Sequence, residues 1–428
     1  MAGKQERVQA VVLAAGDSSR FKPLSEGMHK SLVKVCGSEL VRHAIQGAFG
    51  AGVSEAIIVH GPGEDGKFRE ALKGVTGKVS YVLQPEPKGM GDAVKHAGGA
   101  IKNRFLVFNA DRYDSGKFAR LMLEKSRKTG AQTVLLASPT STPWKHGMLA
   151  FDARQKDKVL RVVEKPSKGT EPSDQKAVGI YLLPRDFMNY YARVKGGHYD
   201  FEDALTAYAQ ANDCRAVFSP EEVSSAKYAF ELLGAAKTLT SGLSRSIPGK
   251  ARISRNAVIE GKVHLGDGTV VHENAVVKGP VYIGRNCVIG NNALVRENSV
   301  LEDGVMIGMN TEVARSIVLE GTHVHSGFVG DSVIGRNCRI GANFIVANRR
   351  LDRQPVKFSV KGEQVDIGKT SLGCVVGHNT SIGINCSAMP GAIIGCGCVI
   401  GPGTEVKGSV ESGSIVSTEK KLVVSRRG

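Results

Sequence analysis

Several groups of residues in this chain have the types and spacing that chemistry needs. One follows an apolar run directly: Leu13-Ala14-Ala15-Gly16-Asp17-Ser18-Ser19-Arg20, then Lys22-Pro23-Leu24 and His29-Lys30-Ser31-Leu32. Small residues let backbone N–H groups approach phosphate oxygens, and Arg20 and Lys30 add the positive charge that a polyphosphate requires. With Gly16 as its one glycine, the loop is neither a Walker loop nor a dinucleotide fingerprint. Further on come Gln84-Pro85-Glu86-Pro87-Lys88-Gly89-Met90-Gly91-Asp92, then Asn109-Ala110-Asp111, Val163-Glu164-Lys165-Pro166 and Gly179-Ile180-Tyr181. Asp111 by itself could cap a loop, and Glu164-Lys165 could be a surface pair; met in isolation, those are the commoner roles. Their weight comes from occurring together and in order.

A different kind of signal surrounds His325. From Ile253 an aliphatic residue recurs at every sixth position: Ile253, Ile259, Leu265, Val271, Val277, Ile283, Ile289, Val295, Leu301, Ile307, Val313 and Leu319. The next aliphatic position holds His325, and the hexads resume at Ile334-Gly335-Arg336-Asn337 and Ile340-Gly341-Ala342-Asn343, which reads as three inserted residues. An ionisable side chain at the break in a regular run is a site candidate, although a lone histidine is more often part of a corner loop.

The elements that must position these residues are of two kinds. A step of six, with glycine or asparagine at each corner, predicts a hexapeptide β-helix whose aliphatic side chains stack inward coil upon coil. Before it, residues 8 to 240 alternate strand-like and helix-like segments: strands at 8–13, 55–60, 79–83 and 104–109, helices at 39–50, 67–73 and 93–100. That alternation predicts an α/β doubly wound, Rossmann-like sheet with ligands at the carboxyl ends of its strands. The expected division is 1–243 for this domain, 244–252 for a polar linker, 253–416 for the β-helix and 417–428 for a charged tail. A basic excursion leaves the β-helix from Ala347 to about Asp366.

Composition narrows the partners. The chain of 428 residues carries a net charge of +16, which favours acidic ligands such as nucleotide and sugar phosphates or coenzyme A. Few aromatics interleave with the basic residues, so nucleic acid is not the expected partner. Of the eight cysteines, Cys287, Cys338, Cys386 and Cys398 share one phase of the hexad and read as small buried packing residues rather than disulfides or zinc ligands. The apolar runs are short, so no membrane span is expected, and the start at Met1 passes straight into a strand-like run, so we expect a cytoplasmic protein without a cleaved signal.

Taken in order, the motifs from Gly16 to Tyr181 resemble the sugar-1-phosphate nucleotidylyltransferase family over nearly all of residues 8 to 240. The stretch from Glu312 through His325 to Asn348 resembles the acetyltransferase domain of bifunctional N-acetylglucosamine-1-phosphate uridylyltransferases. Domain order is similar to that of archaeal sugar-1-phosphate nucleotidylyltransferases with amino-sugar-phosphate acetyltransferase activity. The resemblance implies that Leu13, Ala14 and Gly16, with Arg20 and Lys30, hold a nucleoside triphosphate; that Gln84 and Gly89 contact the base; that Asp111 binds Mg²⁺; and that Gly147, Glu164, Lys165 and Gly179 hold the sugar phosphate. It implies His325 as general base toward acetyl-CoA, Asn348 as its assistant, Arg296 and Lys357 as phosphate ligands, and a homotrimer.

The sequence departs from the family pattern at Ser18, where glycine is usual, at His29, where proline is usual, and at Ala177, Ser225, Ala314, Phe328 and Arg339. Ser225 stands where a second metal-binding aspartate is expected, with Glu222 and Asp203 as possible replacements. The leading expectation is a bifunctional enzyme: it joins a sugar-1-phosphate to UTP or dTTP with release of pyrophosphate, and N-acetylates an amino-sugar-1-phosphate. Three alternatives stay open: a nucleotidylyltransferase with a β-helix used only for assembly or regulation, an acetyltransferase with a degenerate first domain, and a non-catalytic regulatory subunit.

Overall fold

The computed structural model describes residues 7–194, 199–223, 226–360, 362–366, 368–421 and 424, so Ser225 lies outside the described residues. The chain forms two compact units, one of Met1–Asp17 with Glu39–Ser225 and one of Ser18–Ser38 with Ala226–Gly428.

In the first unit the alternation of strands and helices builds an α/β sheet. Its order is Cys214–Phe218, Thr133–Pro139, Gln175–Leu183, Phe105–Asn109, Val8–Ala14, Val53–His60 and Lys78–Leu83. The strands from Phe105–Asn109 to Lys78–Leu83 run parallel, whereas Gln175–Leu183 is antiparallel to both its neighbours. Successive residues of the central strand, Ala10, Val11 and Val12, are all fully buried, as a strand covered by helices on both faces must be. On one face the helices Leu40–Gly50 and Ser115–Thr129 approach through Gly47 and Gly116, where a Cβ on Gly116 would stand 2.7 Å from the Gly47 carbonyl oxygen. A second core joins Val11, Phe105 and Leu135 to the helices Met90–Ala97 and Asp200–Ala211.

The second unit contains the left-handed parallel β-helix. Its short strands stack into three parallel sheets of nine, eight and eight strands. Val263, Leu265, Val271, Val277, Ile283 and Ile289 are buried in its axis. The corners need backbone in the left-handed region, and Asn274, Asn286, Asn292, Asn310, Asn337, Asn343, Asn379 and Asn385 supply it at φ between 54° and 60°. Asn292 donates to Asn310 at 3.3 Å and Asn343 to Asn385 at 2.9 Å, so the corners bond to one another between coils. Cys287, Cys338, Cys386 and Cys398 are buried as expected, and burial pushes the Cys287 thiol up to about 12.

The register of the β-helix differs from the expected one near His325. Val318, not Leu319, pairs with Leu301 and enters the axis, and Val324 follows at the regular step. The chain then reaches Val329 and Ile334 by steps of five. Three residues are therefore removed from corners, one each after Ala314, Val324 and Gly330, instead of three being inserted after His325. Where an earlier corner uses Glu297 and Asn298, both left-handed, the shortened ones turn on Arg315 alone (φ 50°) and Asp331 alone (φ 49°). Adjacent Val318 and Leu319 are both aliphatic and both buried, so counting by six slipped one residue there. The excursion runs between the strands Phe344–Val346 and Cys374–Val376 and folds as an antiparallel hairpin of Lys357–Val360 with Glu363–Asp366.

Candidate functional site

In the first unit the sequence motifs gather at the carboxyl edge of the parallel strands. Leu13 pairs with Asn109, and the Ala110 N–H donates to the Leu13 carbonyl at 2.9 Å, which ties the Ala14–Asp17 loop to the Ala110–Asp111 turn. Gly16 is exposed, and a Cβ there would have nothing within 4 Å, so this loop leaves its backbone open. Asp111 is buried. Beside it, Arg112 and Asp114 pair at 2.5 Å, and burial pushes the Asp114 carboxyl up against the pull of Arg112. On the other side, the Gln84 N–H bonds to the His60 carbonyl at 2.9 Å. The Gln84 amide nitrogen donates to the Asp92 carboxylate at 2.7 Å and to the Gly89 carbonyl at 3.4 Å. Gln84 thus braces the loop that Gly89, at φ 105°, turns into the helix Met90–Ala97; only glycine adopts that backbone readily.

Three of the residues expected to hold a sugar phosphate, Gly147, Glu164 and Lys165, come together on a hairpin. Gly147 pairs with Glu164, and a Cβ on Gly147 would lie 2.6 Å from the Glu164 carboxylate, so the glycine makes room for that group. Lys165 sits in the left-handed region at φ 43°, held by its N–H to the His146 carbonyl at 3.0 Å. Its ammonium lies 3.4 Å from the Tyr199 hydroxyl and 5.4 Å over that ring. Gly179, at φ 74°, occupies the irregularity between Ala177 and Tyr181 and faces Met90. Of the carboxylates considered as a second metal ligand, Glu222 is bound by buried Lys176 at 2.6 Å and by Thr140 at 3.0 Å. Burial works against ionisation of Glu222, but the Lys176 bond outweighs it and holds the carboxyl below its usual range. Asp203 lies in the first turn of the helix Asp200–Ala211. Among the described residues, no group of three or more His, Cys, Asp or Glu side chains is placed to hold a metal ion.

The second unit holds Arg20 and Lys30 on the Ser18–Ser38 segment. Arg20 is exposed, and the Lys30 ammonium donates to the Ala226 carbonyl at 2.8 Å. The two departures here have local explanations. Ser18 has φ −92°, which does not call for glycine, and its hydroxyl accepts the Lys30 N–H at 3.0 Å. His29 has φ −67°, the value proline would impose, and its ring accepts the Ser31 N–H at 3.2 Å.

On the β-helix, His325 stands in a column of corner residues that continues through Gly290, Gly308, Gly341, Gly383 and Gly401. The neighbouring glycines leave the flanks of the imidazole open, and among the described residues its ring makes no hydrogen bond. A Cβ on Gly308 would lie 2.0 Å from the His325 carbonyl oxygen, so the shortened corner is closed down on glycine. His325 borders two concave surfaces. One is an apolar groove with Met306, Ile340 and Ile384; the other is a more polar hollow with Glu312, Phe328 and Asn343. The Phe328 ring occupies the space in which a Cβ on Gly330 would be 2.5 Å away.

Two of the expected partners of His325, Asn348 and Arg296, are engaged by carboxylates. The Asn348 amide donates to Asp331 at 2.5 Å, and Asp331 also accepts from Arg315 at 2.7 Å and from Ser371 at 2.9 Å. Burial raises the Asp331 carboxyl, but these bonds, led by Arg315, bring it below the usual range. Arg296 binds Glu312 at 2.6 Å and also pairs with Glu297. Lys357 is exposed at the start of the hairpin. Ala314 is fully buried, and Arg339 donates to the carbonyl of Gly321 at 2.8 Å.

Two family models match the chain: nucleotidyl transferase over residues 9–222, and the GMPPB C-terminal domain over residues 277–372. The bifunctional protein GlmU of Methanococcus maripaludis strain C7 is 34% identical over 426 residues, covering 98% of this chain and 100% of its own. The chain belongs to the bifunctional GlmU family. The GlmU protein of Methanocaldococcus jannaschii is 28% identical over 97% of this chain and 99% of its own. The bifunctional sugar-1-phosphate nucleotidylyltransferase/acetyltransferase of Sulfurisphaera tokodaii is 26% identical over 95% and 99%. A solved structure of UTP-bound UGPase from Acinetobacter baumannii covers 54% of this chain and 92% of its own at 20% identity and a TM-score of 0.47.

Sequence reasoning missed several residues in this GlmU-family chain. The Tyr191 hydroxyl bonds to Asp200 at 2.8 Å, and a Cβ on Gly91 would lie 2.5 Å from the Tyr191 ring. Glu202 on the same helix is pushed up by burial first and then by nearby Glu164, Asp200 and Asp203. Tyr191 and Glu202 lie outside the quoted motifs, and nothing in their spacing marks them. On the β-helix, His323 shares the groove of His325, and burial together with Arg339 pushes its imidazole down.

Proposed function

We propose that this chain is a bifunctional enzyme, a sugar-1-phosphate nucleotidylyltransferase and an amino-sugar-1-phosphate N-acetyltransferase. In the first reaction a sugar-phosphate oxygen attacks the α-phosphorus of UTP or dTTP, the bond to the β-phosphate breaks, and pyrophosphate leaves. Leu13, Ala14 and Gly16 present backbone to the triphosphate, Arg20 and Lys30, next in the chain, neutralise it, and Gln84 and Gly89 shape the base pocket. Glu164 and Lys165, with Gly147 and Gly179, hold the sugar phosphate. Mg²⁺ is the expected cofactor, with Asp111 as its protein ligand. Such an ion commonly takes one or two carboxylates plus substrate phosphates, so one buried carboxylate at the strand edge fits it without a dedicated cage. When bound, it would screen the charge that builds on the phosphates.

In the second reaction the amine attacks the acetyl-CoA thioester carbon, a C–N bond forms, the C–S bond breaks, and His325 takes the amine proton and passes it to the departing thiolate. Asn348, Arg296 and Lys357 are assigned to substrate contacts around this step. For Arg296 and Asn348 these require that they exchange their present carboxylate partners.

One observation carries the reading: an imidazole with open flanks in a column of corner glycines, bordering both an apolar groove and a polar hollow. A β-helix used only for assembly has no need of that histidine. We assign assembly to the outward face that carries Val288, Met306, His323, Arg339, Ser381 and Val399 in register, where Met306 and Val399 are large exposed apolar side chains, and propose a homotrimer. No helix among the described residues is long and apolar enough to cross a membrane, and a cytoplasmic enzyme is the proposed setting. Purified protein given glucosamine-1-phosphate or galactosamine-1-phosphate with acetyl-CoA should release thiol; no thiol with either sugar would leave nucleotidyl transfer as its one reaction.

A further inference from the structure

The Ser18–Ser38 segment, which bears Arg20 and Lys30, lies in the same compact unit as the β-helix, and one corner of the β-helix holds it. That corner follows the strands Val300–Leu301, Ile317–Val318, Val333–Ile334, Cys374–Val376, Ala392–Ile394 and Ser409–Val410, which are neighbours in one parallel sheet. Each of these six coils supplies one polar group to the segment. Both Glu302 carboxyl oxygens lie against the Gly37 N–H, at 3.2 and 3.1 Å. Glu320 pairs with Lys34 at 3.2 Å, and the Arg336 guanidinium reaches the Met28 sulfur at 3.3 Å. The His378 ring is 3.1 Å from the Leu24 carbonyl, the Cys396 thiol 3.2 Å from the Pro23 carbonyl, and the Ser412 hydroxyl 2.5 Å from the Glu26 carboxylate.

Two of these groups, Glu302 and His378, are buried, with 1% and 5% of their surface exposed. Burying a polar side chain is unfavourable unless it is bonded, so both depend on the segment being in place. The bonding also fixes the histidine tautomer. Nδ1 of His378 accepts the Arg336 N–H at 3.0 Å, so the ring proton is on Nε2 and points at the Leu24 carbonyl. Gly37 is equally constrained, because a Cβ there would lie 2.2 Å from the Tyr282 hydroxyl.

We infer that this corner of the β-helix positions the cation-bearing segment for nucleotidyl transfer, with Glu302 and His378 as positioning residues. The inference rests on the roles proposed above for Arg20 and Lys30. It gives the β-helix a part in nucleotidyl transfer through the segment that it holds. A displacement of about 1 Å in a charge-neutralising group is enough to cost roughly a hundredfold in rate.

The test is the kinetics of pyrophosphate release by full-length Glu302→Leu, Glu302→Gln and His378→Phe, with hydrogen exchange of the Ser18–Ser38 amides measured on the same preparations. The expected result is a fall of roughly tenfold or more in kcat for the Leu and Phe variants. Their segment amides should exchange faster while those of the β-helix core stay protected. Glu302→Gln, which keeps an acceptor for Gly37, should restore the rate. If a buried substitution prevents folding, Lys34→Ala, which removes the partly exposed pair with Glu320, should still lower kcat. Folded variants with unchanged kinetics would overturn the inference, whether or not exchange speeds up. Wild type that releases no pyrophosphate from any sugar phosphate tried would remove the reading of Arg20 and Lys30, and this inference with it.

Discussion

His325 shows how one side chain gains meaning from its column. Coils on either side place glycine at the same corner, so the imidazole borders two hollows with room on its flanks. If it is the general base, His325→Ala should lower thiol release by about 10²- to 10⁴-fold while pyrophosphate release continues; a mild effect would make the histidine a corner residue only. Glu302 gives a second residue-scale prediction. Burial, with Glu320 and Asp303 nearby and Lys34 and the Gly37 N–H opposing them, raises its carboxyl from 4.5 to about 8. Between those values the folded chain keeps a proton that the unfolded chain has lost. This contribution is therefore full below pH 4.5 and is lost as pH rises through 8. Between pH 5 and pH 9 the melting temperature should fall more for wild type than for Glu302→Gln, and equal falls would contradict the assignment.

Elements explain what was legible in the sequence and what was not. The hexad gave the β-helix because each inward aliphatic stacks on another a coil away, a constraint that leaves a period. The α/β strands were visible as apolar runs, and the helix expected at 39–50 is found at Leu40–Gly50. The shortened corners were hidden because Val318 and Leu319 are both aliphatic, so a pattern count had no reason to prefer one. The six corner contacts to Ser18–Ser38 were hidden for another reason: pairs so distant in sequence leave no local pattern. The tight corner at His325 yields a prediction of its own. Gly308→Ala would press a methyl group into the His325 carbonyl, and overpacking of this kind costs about 1–3 kcal/mol. A lower melting temperature and reduced thiol release, with little change in pyrophosphate release at 25 °C, is the expected outcome.

For the whole molecule, the proposed function places two chemistries in one chain and assembly on the outward face of the β-helix that bears Met306 and Val399. Val399→Glu, which places a charge on that face, should shift light-scattering mass from trimer toward monomer. It should also reduce thiol release more than pyrophosphate release. The two half-reactions of the proposed enzyme should be independent, and a paired product assay on wild type, Asp111→Ala and His325→Ala separates them. Pyrophosphate is followed with sugar-1-phosphate, UTP or dTTP and Mg²⁺, and thiol with hexosamine-1-phosphate and acetyl-CoA. Asp111→Ala should remove pyrophosphate release alone, and His325→Ala should lower thiol release alone, by about 10²- to 10⁴-fold. Loss of both products in either variant while it remains folded, or the absence of one product from wild type, would contradict the proposed function.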